Sequence, residues 1–228
     1  DGLHPDDYDA FELFGKLGAT DTAGLADLEV HLTTATVSYA QHMHGGRLNP
    51  REVNREIVIY PKDIAADAIL ANIRKTKNLK AYLRLLAPRT QRYERLRQAI
   101  AVFRRIEANG GWTKVPEGPA LKPGATDARV PALRKRMIEA ATYRGPAAGG
   151  LVYDAALVDA VKRFQELMGV TPDGVVGPGT VKQMNIPVSE RILTMEINLE
   201  RNRWLQNEFA PYHIFVNRQM RRRRLNWP

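Results

Sequence analysis

The side chains best suited to chemistry in this sequence are two neighbouring histidines and several acidic pairs. His42 and His44 stand two residues apart on a predicted helix, so their side chains diverge and are poorly placed to ligate one metal ion. The pair Asp6-Asp7, and Asp63 with Asp67, lie where helices are predicted to begin, and negative charge is favourable there without a catalytic role. We therefore predict no catalytic residue, no metal site and no cofactor.

Other kinds of reactive site are also missing from the sequence. It contains no cysteine, which excludes a disulfide, a thiolate metal site and a cysteine nucleophile within these residues. No glycine-rich stretch is followed by Lys-Ser or Lys-Thr, so no phosphate-binding loop is predicted. Trp112, Tyr153 and Trp204 are of the type that stacks on sugar rings, but amphipathic aromatics at domain seams more often pack inside the protein.

The charge balance of the chain favours an anionic partner only weakly. The 228 residues carry 34 basic and 25 acidic side chains, a net charge of +9. Arg218 and 221–224 supply five of these positive charges, and without them the excess is only +4. A nucleic-acid binder acting through this tail is therefore a remote alternative, and no nucleic-acid partner is expected. No apolar run reaches eighteen residues, so no membrane-spanning helix is predicted.

Apolar residues at helical spacing predict that the first half of the chain is helical. The longest apolar stripe comprises Leu25, Leu28, Leu32, Ala35, Tyr39 and Met43. Gly45-Gly46 is expected to end that helix. Asp63 and Ser189 are expected to cap later helices. The segment 112–124 is rich in proline and glycine, which predicts an interdomain connection over the surface.

A motif in the second half of the chain carries the most information. It contains Ala160-Val161 and Phe164-Gln165, which are separated by two residues, continues with Gly169-Val170, and ends in the segment 173–180 (DGVVGPGT). This order resembles the small three-helix peptidoglycan-binding domain, with its AV-x-x-FQ helix, GL-like pair and DG-x-x-G-x-x-T turn. The segment 121–133 fits the opening of the same family, L-x-x-G followed by V-x-x-L.

Five residues of this motif have two interpretations. Gln165 is placed to reach loop backbone groups, and Asp173 with Gly174 suits a turn that needs a side-chain acceptor and a positive φ. Gly177 permits a close approach of the chain, and Thr180 bonds locally near the start of a helix. These are structural roles. Under the resemblance, the same five residues are the candidate peptidoglycan-binding residues, in a groove beside the 173–180 loop.

Further segments extend the resemblance to residues 1–217. The large murein L,D-transpeptidases of the YcbB-like kind have a helical scaffold region and a peptidoglycan-binding domain ahead of a YkuD-type catalytic domain. This chain is similar to them at 2–8, 46–50, 110–116, 197–205 and 212–217, the last resembling the first catalytic strand. The similarity ends at Arg218, so the catalytic domain is interpreted as missing or truncated.

The resemblance implies a mainly α fold in several parts. The expected domains are a helical scaffold over 1–118, a three-helix peptidoglycan-binding domain over 119–187 and a connecting helix over 188–212. The first strand of a truncated β-rich catalytic domain and an Arg-rich tail are expected over 213–228.

The resemblance also implies a role in peptidoglycan biosynthesis in the periplasm or cell envelope. Such transferases form 3→3 cross-links through a cysteine acyl-enzyme, activated by a histidine and stabilised by an oxyanion hole. No cysteine is present here, so this chain alone is expected to be inactive. The expected partner is peptidoglycan, both stem peptides and glycan, with other cell-wall enzymes as possible partners. The alternative is a non-catalytic peptidoglycan-binding adaptor.

Overall fold

A computed structural model describes residues 1–205, and this part of the protein is mainly helical, as predicted. Within it the backbone forms ten α-helices and one short 3-10 helix, with no sheet. The predicted strand at 213–217 and the Arg-rich tail lie outside the described residues.

The helices follow one another along the chain with short connections in most places. The 3-10 helix is Pro5–Tyr8. The α-helices are α1 (Ala10–Lys16), α2 (Thr22–Gly45), α3 (Pro50–Val53), α4 (Ala66–Lys75), α5 (Leu79–Leu86), α6 (Gln91–Ala108), α7 (Val130–Glu139), α8 (Ala155–Leu167), α9 (Pro178–Asn185) and α10 (Val188–Trp204).

The long helix α2 forms where the apolar stripe predicts it. Asp21 caps it by accepting a hydrogen bond from the Gly24 N–H at 3.0 Å, and Gly46, with φ +92°, ends it. The stripe is not buried along its whole length, because Leu25 is 49% exposed whereas Met43 is 1% exposed. Helical spacing predicts which residues share a face, and the extent of the packing partners decides how much of that face is covered.

Two predicted helix caps are wrong. α4 begins at Ala66 with Ala65 as its N-cap, and the Asp63 carboxylate instead accepts a hydrogen bond from the Ile64 N–H at 2.8 Å. α10 begins at Val188, so Ser189 is already inside the helix. A residue type that favours the N-cap does not cap a helix when the helix begins at a different position in the chain.

The chain divides into two compact units, each with its own buried residues. One contains residues 3–95 together with 198–205 of the described part, and the other contains 1–2 together with 96–197. The apolar residues buried in the first unit are Ala40, Met43, Ile69, Leu86, Ala87, Tyr93, Leu199 and Trp204.

A buried ion pair near the end of α10 holds part of the first unit together. The Glu200 carboxylate accepts the backbone N–H groups of Arg47 and Leu48 at 2.6 and 2.9 Å. Its other oxygen lies 3.1 Å from the guanidinium of Arg203, which is fully buried and donates to the Tyr93 hydroxyl at 2.9 Å. One carboxylate therefore accepts hydrogen bonds from the backbone of the loop after α2 and also pairs with a buried cation.

The second unit has one continuous apolar core to which α7, α8 and α9 all contribute. Its buried members are Val115, Leu121, Val130, Leu133, Met137, Tyr143, Tyr153, Leu157, Val158, Ala160, Val161, Phe164, Val176, Val181 and Met184. An antiparallel bridge joins Leu121 to Val176 through backbone hydrogen bonds of 3.1 and 3.0 Å. This bridge ties the start of the unit to the segment before α9.

The segment 112–124 is packed into the second unit, so the prediction of a connection running over the surface is wrong for part of it. Val115 and Leu121 are 2% and 3% exposed. The Asn185 side chain accepts from the Val115 N–H at 2.9 Å and donates to its carbonyl at 2.8 Å. Proline and glycine exclude a regular helix here, but apolar side chains between them still reach the core.

Candidate functional site

Four of the five candidate binding residues are joined by hydrogen bonds around one buried amide. The Gln165 side chain is 1% exposed. Its Nε2 lies 3.0 Å from Asp173 Oδ1, 3.0 Å from the Val175 carbonyl and 3.2 Å from Thr180 Oγ1. Its Oε1 accepts the Gly174 N–H at 2.9 Å. Because the amide both donates and accepts, it ties the turn after α8 to the first turn of α9.

Asp173 organises the same turn through its own carboxylate. Its Oδ1 accepts the Val175 N–H at 2.8 Å, which closes a local side-chain-to-backbone turn. This hydrogen bond and the one from Gln165 hold the pKa of Asp173 below its usual value. Asp173 is otherwise exposed at the surface of the unit.

The two glycines of the motif have different roles. Gly174 has φ +76°, and a Cβ atom there would lie 2.9 Å from Val158 Cγ1. Its carbonyl accepts the buried Tyr153 hydroxyl at 2.7 Å. Gly177 is the N-cap residue of α9, and a Cβ atom there would meet nothing within 4 Å. The turn therefore requires glycine at 174 for its conformation and not at 177.

A groove of about 610 Å³ lies next to this turn, along one face of α9. Its lining residues are Glu117, Gly118, Pro178, Val181, Lys182, Asn185, Ile186, Pro187 and Glu190. The four contributed by α9 have the i, i+3, i+4, i+7 spacing of a single helix face. The groove shares Pro178 with the 173–180 loop, and its volume lies within the range of roughly 300–1,000 Å³ usual for ligand sites.

Charged groups of both signs surround the apolar part of this groove. Lys182, Glu117 and Glu190 are exposed, whereas Val181 is buried beneath them. Within residues 1–205 the head groups of these three charged side chains make no hydrogen bond or ion pair. The groove can therefore receive an ammonium and a carboxylate on the same ligand.

The three aromatic side chains considered for sugar stacking are all engaged in packing. Trp112 donates to the Ile186 carbonyl at 3.0 Å and meets the Phe103 ring edge-on at 5.7 Å. Tyr153 is fully buried, and Trp204 is 5% exposed with its indole N–H on Glu200. None of the three lines the groove on α9.

Arg136 is a buried residue that sequence analysis missed. Its guanidinium lies 4.3 Å from the centre of the Trp112 ring and 5.4 Å from that of Phe164, and its Nε donates to the Met184 carbonyl at 3.0 Å. Burial lowers its pKa to about 10. The sequence places Arg136 next to Met137, which lies on the apolar face of α7 with Val130 and Leu133, and this was the only sign that Arg136 would be buried. Arg136 fastens the 112–115 segment to the core.

The two histidines of the pair have different surroundings. His42 Nδ1 is 2.9 Å from the Tyr8 hydroxyl, and burial lowers the pKa of both His42 and His44. No group of three His, Cys, Asp or Glu residues able to hold a metal ion is found in residues 1–205. In the same range no helix is long and apolar enough to cross a membrane.

Comparisons with protein families match both parts of the chain. Residues 1–100 match the family of the scaffold domain, and residues 126–184 match the family of the peptidoglycan binding domain. The second match contains the turn and the part of the α9 face formed by Pro178, Val181 and Lys182. No curated protein matches the chain. The chain is thus a mainly helical protein that contains a peptidoglycan-binding helical domain, which supports a peptidoglycan-binding role and is in keeping with a cell-wall or envelope location.

Proposed function

We propose that this protein binds peptidoglycan through its second unit and that the groove along α9 is the contact surface. The open groove of about 610 Å³ carries this proposal, because its residues Pro178, Val181 and Lys182 belong to the segment that matches a peptidoglycan-binding family and its other lining residues flank that segment. Gln165, Asp173, Gly174, Gly177 and Thr180 shape one side of that surface, because they set the position at which α9 begins. Direct contact of Asp173 with the ligand is part of the proposal, since it is the exposed side chain among them.

The finer proposal is that the chain is the scaffold and peptidoglycan-binding portion of an L,D-transpeptidase. A scaffold match over 1–100 followed by a peptidoglycan-binding match over 126–184 supports it, because that enzyme family has these domains in this order. A 3→3 cross-link formed through a thioester needs a cysteine, and these 228 residues contain none. The proposed role of this chain is therefore to hold peptidoglycan for a catalytic cysteine located elsewhere, in the periplasm or cell envelope.

Binding itself is tested by co-sedimentation of the full chain with purified sacculi, with cellulose particles as the matched insoluble polysaccharide. The proposal expects the protein in the sacculus pellet at low and at physiological salt, and in the supernatant with cellulose. Protein that stays in the supernatant with sacculi at low salt contradicts the proposed function. Equal retention on cellulose contradicts recognition of peptidoglycan in particular.

The transpeptidase proposal and the adaptor alternative predict different masses for the native protein that contains this segment. The intact mass of the native protein is the first measurement. A mass well above 25.7 kDa, together with a cysteine that can be acylated, supports the transpeptidase proposal. A native mass of 25.7 kDa supports the non-catalytic adaptor and leaves sacculus binding as its activity.

A further inference from the structure

We propose that the groove along α9 recognises the peptide stem of peptidoglycan and not its sugar chain. The ligand class is a peptide that carries both a free carboxylate and a free ammonium group. This inference rests on the proposed peptidoglycan binding and adds to it which chemical part of the polymer is held.

The first argument is the sign of the charges that face the groove. Two carboxylates, Glu117 and Glu190, and one ammonium, Lys182, line it. They come from three different elements, namely the segment before Leu121, the first turn of α10 and α9. None of the three forms a salt bridge within residues 1–205, and of these three Glu190 interacts electrostatically with the neighbouring Arg191. A ligand with both signs of charge complements this arrangement.

The second argument is the absence of a cation in the glycan. The amino groups of its sugars are acetylated, so a glycan chain offers Glu117 and Glu190 hydroxyl and amide N–H donors but no cation. The diamino acid of the stem peptide supplies an ammonium, and the stem also supplies carboxylates for Lys182. The charged groups of the groove thus complement the charges of the stem. With the glycan as ligand, the carboxylates of Glu117 and Glu190 would have no cation to pair with.

The third argument is the surface between the charges. Its apolar part is aliphatic, made by Pro178, Val181, Ile186 and Pro187, and no aromatic ring lines the groove. Stacking on a sugar ring calls for a flat aromatic face. An aliphatic strip next to the Asn185 amide suits methyl and methylene groups of a short peptide.

The inference is tested by competition against sacculus binding with three soluble probes. The first is a synthetic stem tripeptide with a free diamino-acid ammonium, the second is the same peptide acetylated on that nitrogen, and the third is a tetramer of N-acetylglucosamine. We expect the free tripeptide to displace the protein, the acetylated one to be about five-fold weaker, and the sugar tetramer to have no effect.

Charge-neutral variants locate the site. Lys182→Gln and Glu190→Gln are expected to weaken tripeptide binding about five-fold each, as for exposed ion pairs. The matched controls Lys135→Gln and Glu166→Gln change the same charges at exposed positions outside the groove and are expected to bind as the unaltered protein does. All four positions are exposed, so folding should be retained, and circular dichroism checks it.

The outcomes separate this inference from the function on which it rests. If the unaltered protein does not bind sacculi, the proposed function fails. If sacculus binding holds but the sugar tetramer competes and the tripeptide does not, the stem assignment is overturned alone. If the tripeptide competes but the groove variants match their controls, the location on α9 is overturned.

Discussion

At the residue scale, the Gln165 amide holds together the turn next to the proposed binding surface. It donates hydrogen bonds to the Asp173 carboxylate and the Thr180 hydroxyl, and it accepts one from the Gly174 N–H. The backbone of a short turn does not by itself supply partners for all of these polar groups. The sequence motif around these residues is therefore first a folding device. Its proposed connection to binding is through the position that it gives to α9 and through the exposed Asp173 side chain.

Replacing Gln165 with leucine is expected to lower the free energy of unfolding by about 2 kcal/mol or more. The substitution leaves the Gly174 N–H and the Thr180 hydroxyl with fewer partners in a buried place. Chemical denaturation measures the loss. Glu166→Leu, on the exposed side of the same helix, is the control and is expected to change stability by less than about 0.5 kcal/mol. Equal stability of Gln165→Leu and the unaltered protein would contradict this role.

Two glycine-to-alanine substitutions are expected to have opposite effects. Gly174→Ala should destabilise by about 1–3 kcal/mol, because φ is +76° and the new Cβ would lie 2.9 Å from Val158. Gly179→Ala should stabilise by about 0.5–1 kcal/mol, because this residue is in α9 and a Cβ there meets nothing within 4 Å. Thermal unfolding of both variants gives the comparison. The same sign for both would contradict the assigned turn.

At the scale of the elements, a helix contributes through the one or two side chains that connect it to its surroundings. α9 borders a groove with one face and packs Met184 into the core, and its buried Val181 belongs to both. α10 carries Glu200, which accepts hydrogen bonds from the loop after α2. The same regular backbone thus borders the proposed binding groove in one case and connects a loop to a buried ion pair in the other.

The Glu200 carboxylate is expected to be a large contributor to stability in the unit that contains 3–95. Glu200→Gln removes one charged partner of the fully buried Arg203 and weakens the hydrogen bonds to the loop after α2, which is expected to cost about 3 kcal/mol. Urea unfolding measures the change. Glu190→Gln, an exposed carboxylate at the start of the same helix, is the matched control, with an expected change below about 0.5 kcal/mol. A loss no larger than that of the control would mean that the ion pair is not needed.

The start of α7 is expected to make stability depend on pH in acid. Hydrogen bonds from the Arg129 side chain and backbone lower the pKa of Asp127 from 3.8 to about 2. Because the pKa of Asp127 is lower in the folded than in the unfolded protein, its ionised carboxylate stabilises the fold at pH values above 3.8. This stabilisation is lost as the pH falls from 3.8 through about 2. Thermal midpoints between pH 5 and 2 should fall less steeply for Asp127→Asn. An identical slope would contradict the assignment.

At the scale of the whole molecule, the charge of the chain is unevenly distributed. Residues 1–30 contain eight acidic side chains and only one basic one, Lys16, while the chain as a whole is +9. The remainder is therefore basic, with a concentration of arginines at 221–224. Binding to any polyanion through such charges would depend strongly on salt, whereas binding in a groove with apolar and mixed charged groups would not.

Salt dependence is therefore expected to separate peptidoglycan from nucleic acid as the partner. Retention on sacculi should fall less than about three-fold between 50 and 200 mM salt, while any binding to duplex DNA should fall by at least about a hundred-fold. Co-sedimentation and fluorescence anisotropy measure the two. DNA binding that survives 200 mM salt, with sacculus retention lost, would favour the nucleic-acid alternative.

The sequence by itself determined the elements whose causes are local. The helical stripe of α2 and its glycine end follow from side chains that act within a few residues, and so does the Asp173-Gly174 turn. The resemblance over the 160–180 motif agrees with the family match over 126–184. The boundaries at 118 and 187 remain predictions, since the compact units divide the chain near 95 and 197.

Only the tertiary structure decided what the helices leave open and what they cover. In the structure Pro178, Val181, Lys182 and Asn185 share one face of α9, and helical spacing alone does not tell that this face borders a groove with Glu190. Nor could it tell that Arg136 would be buried under Trp112, or that Val115 would reach the core from a proline-rich segment. These outcomes depend on contacts between residues 20 to 80 positions apart, and no local pattern encodes such contacts.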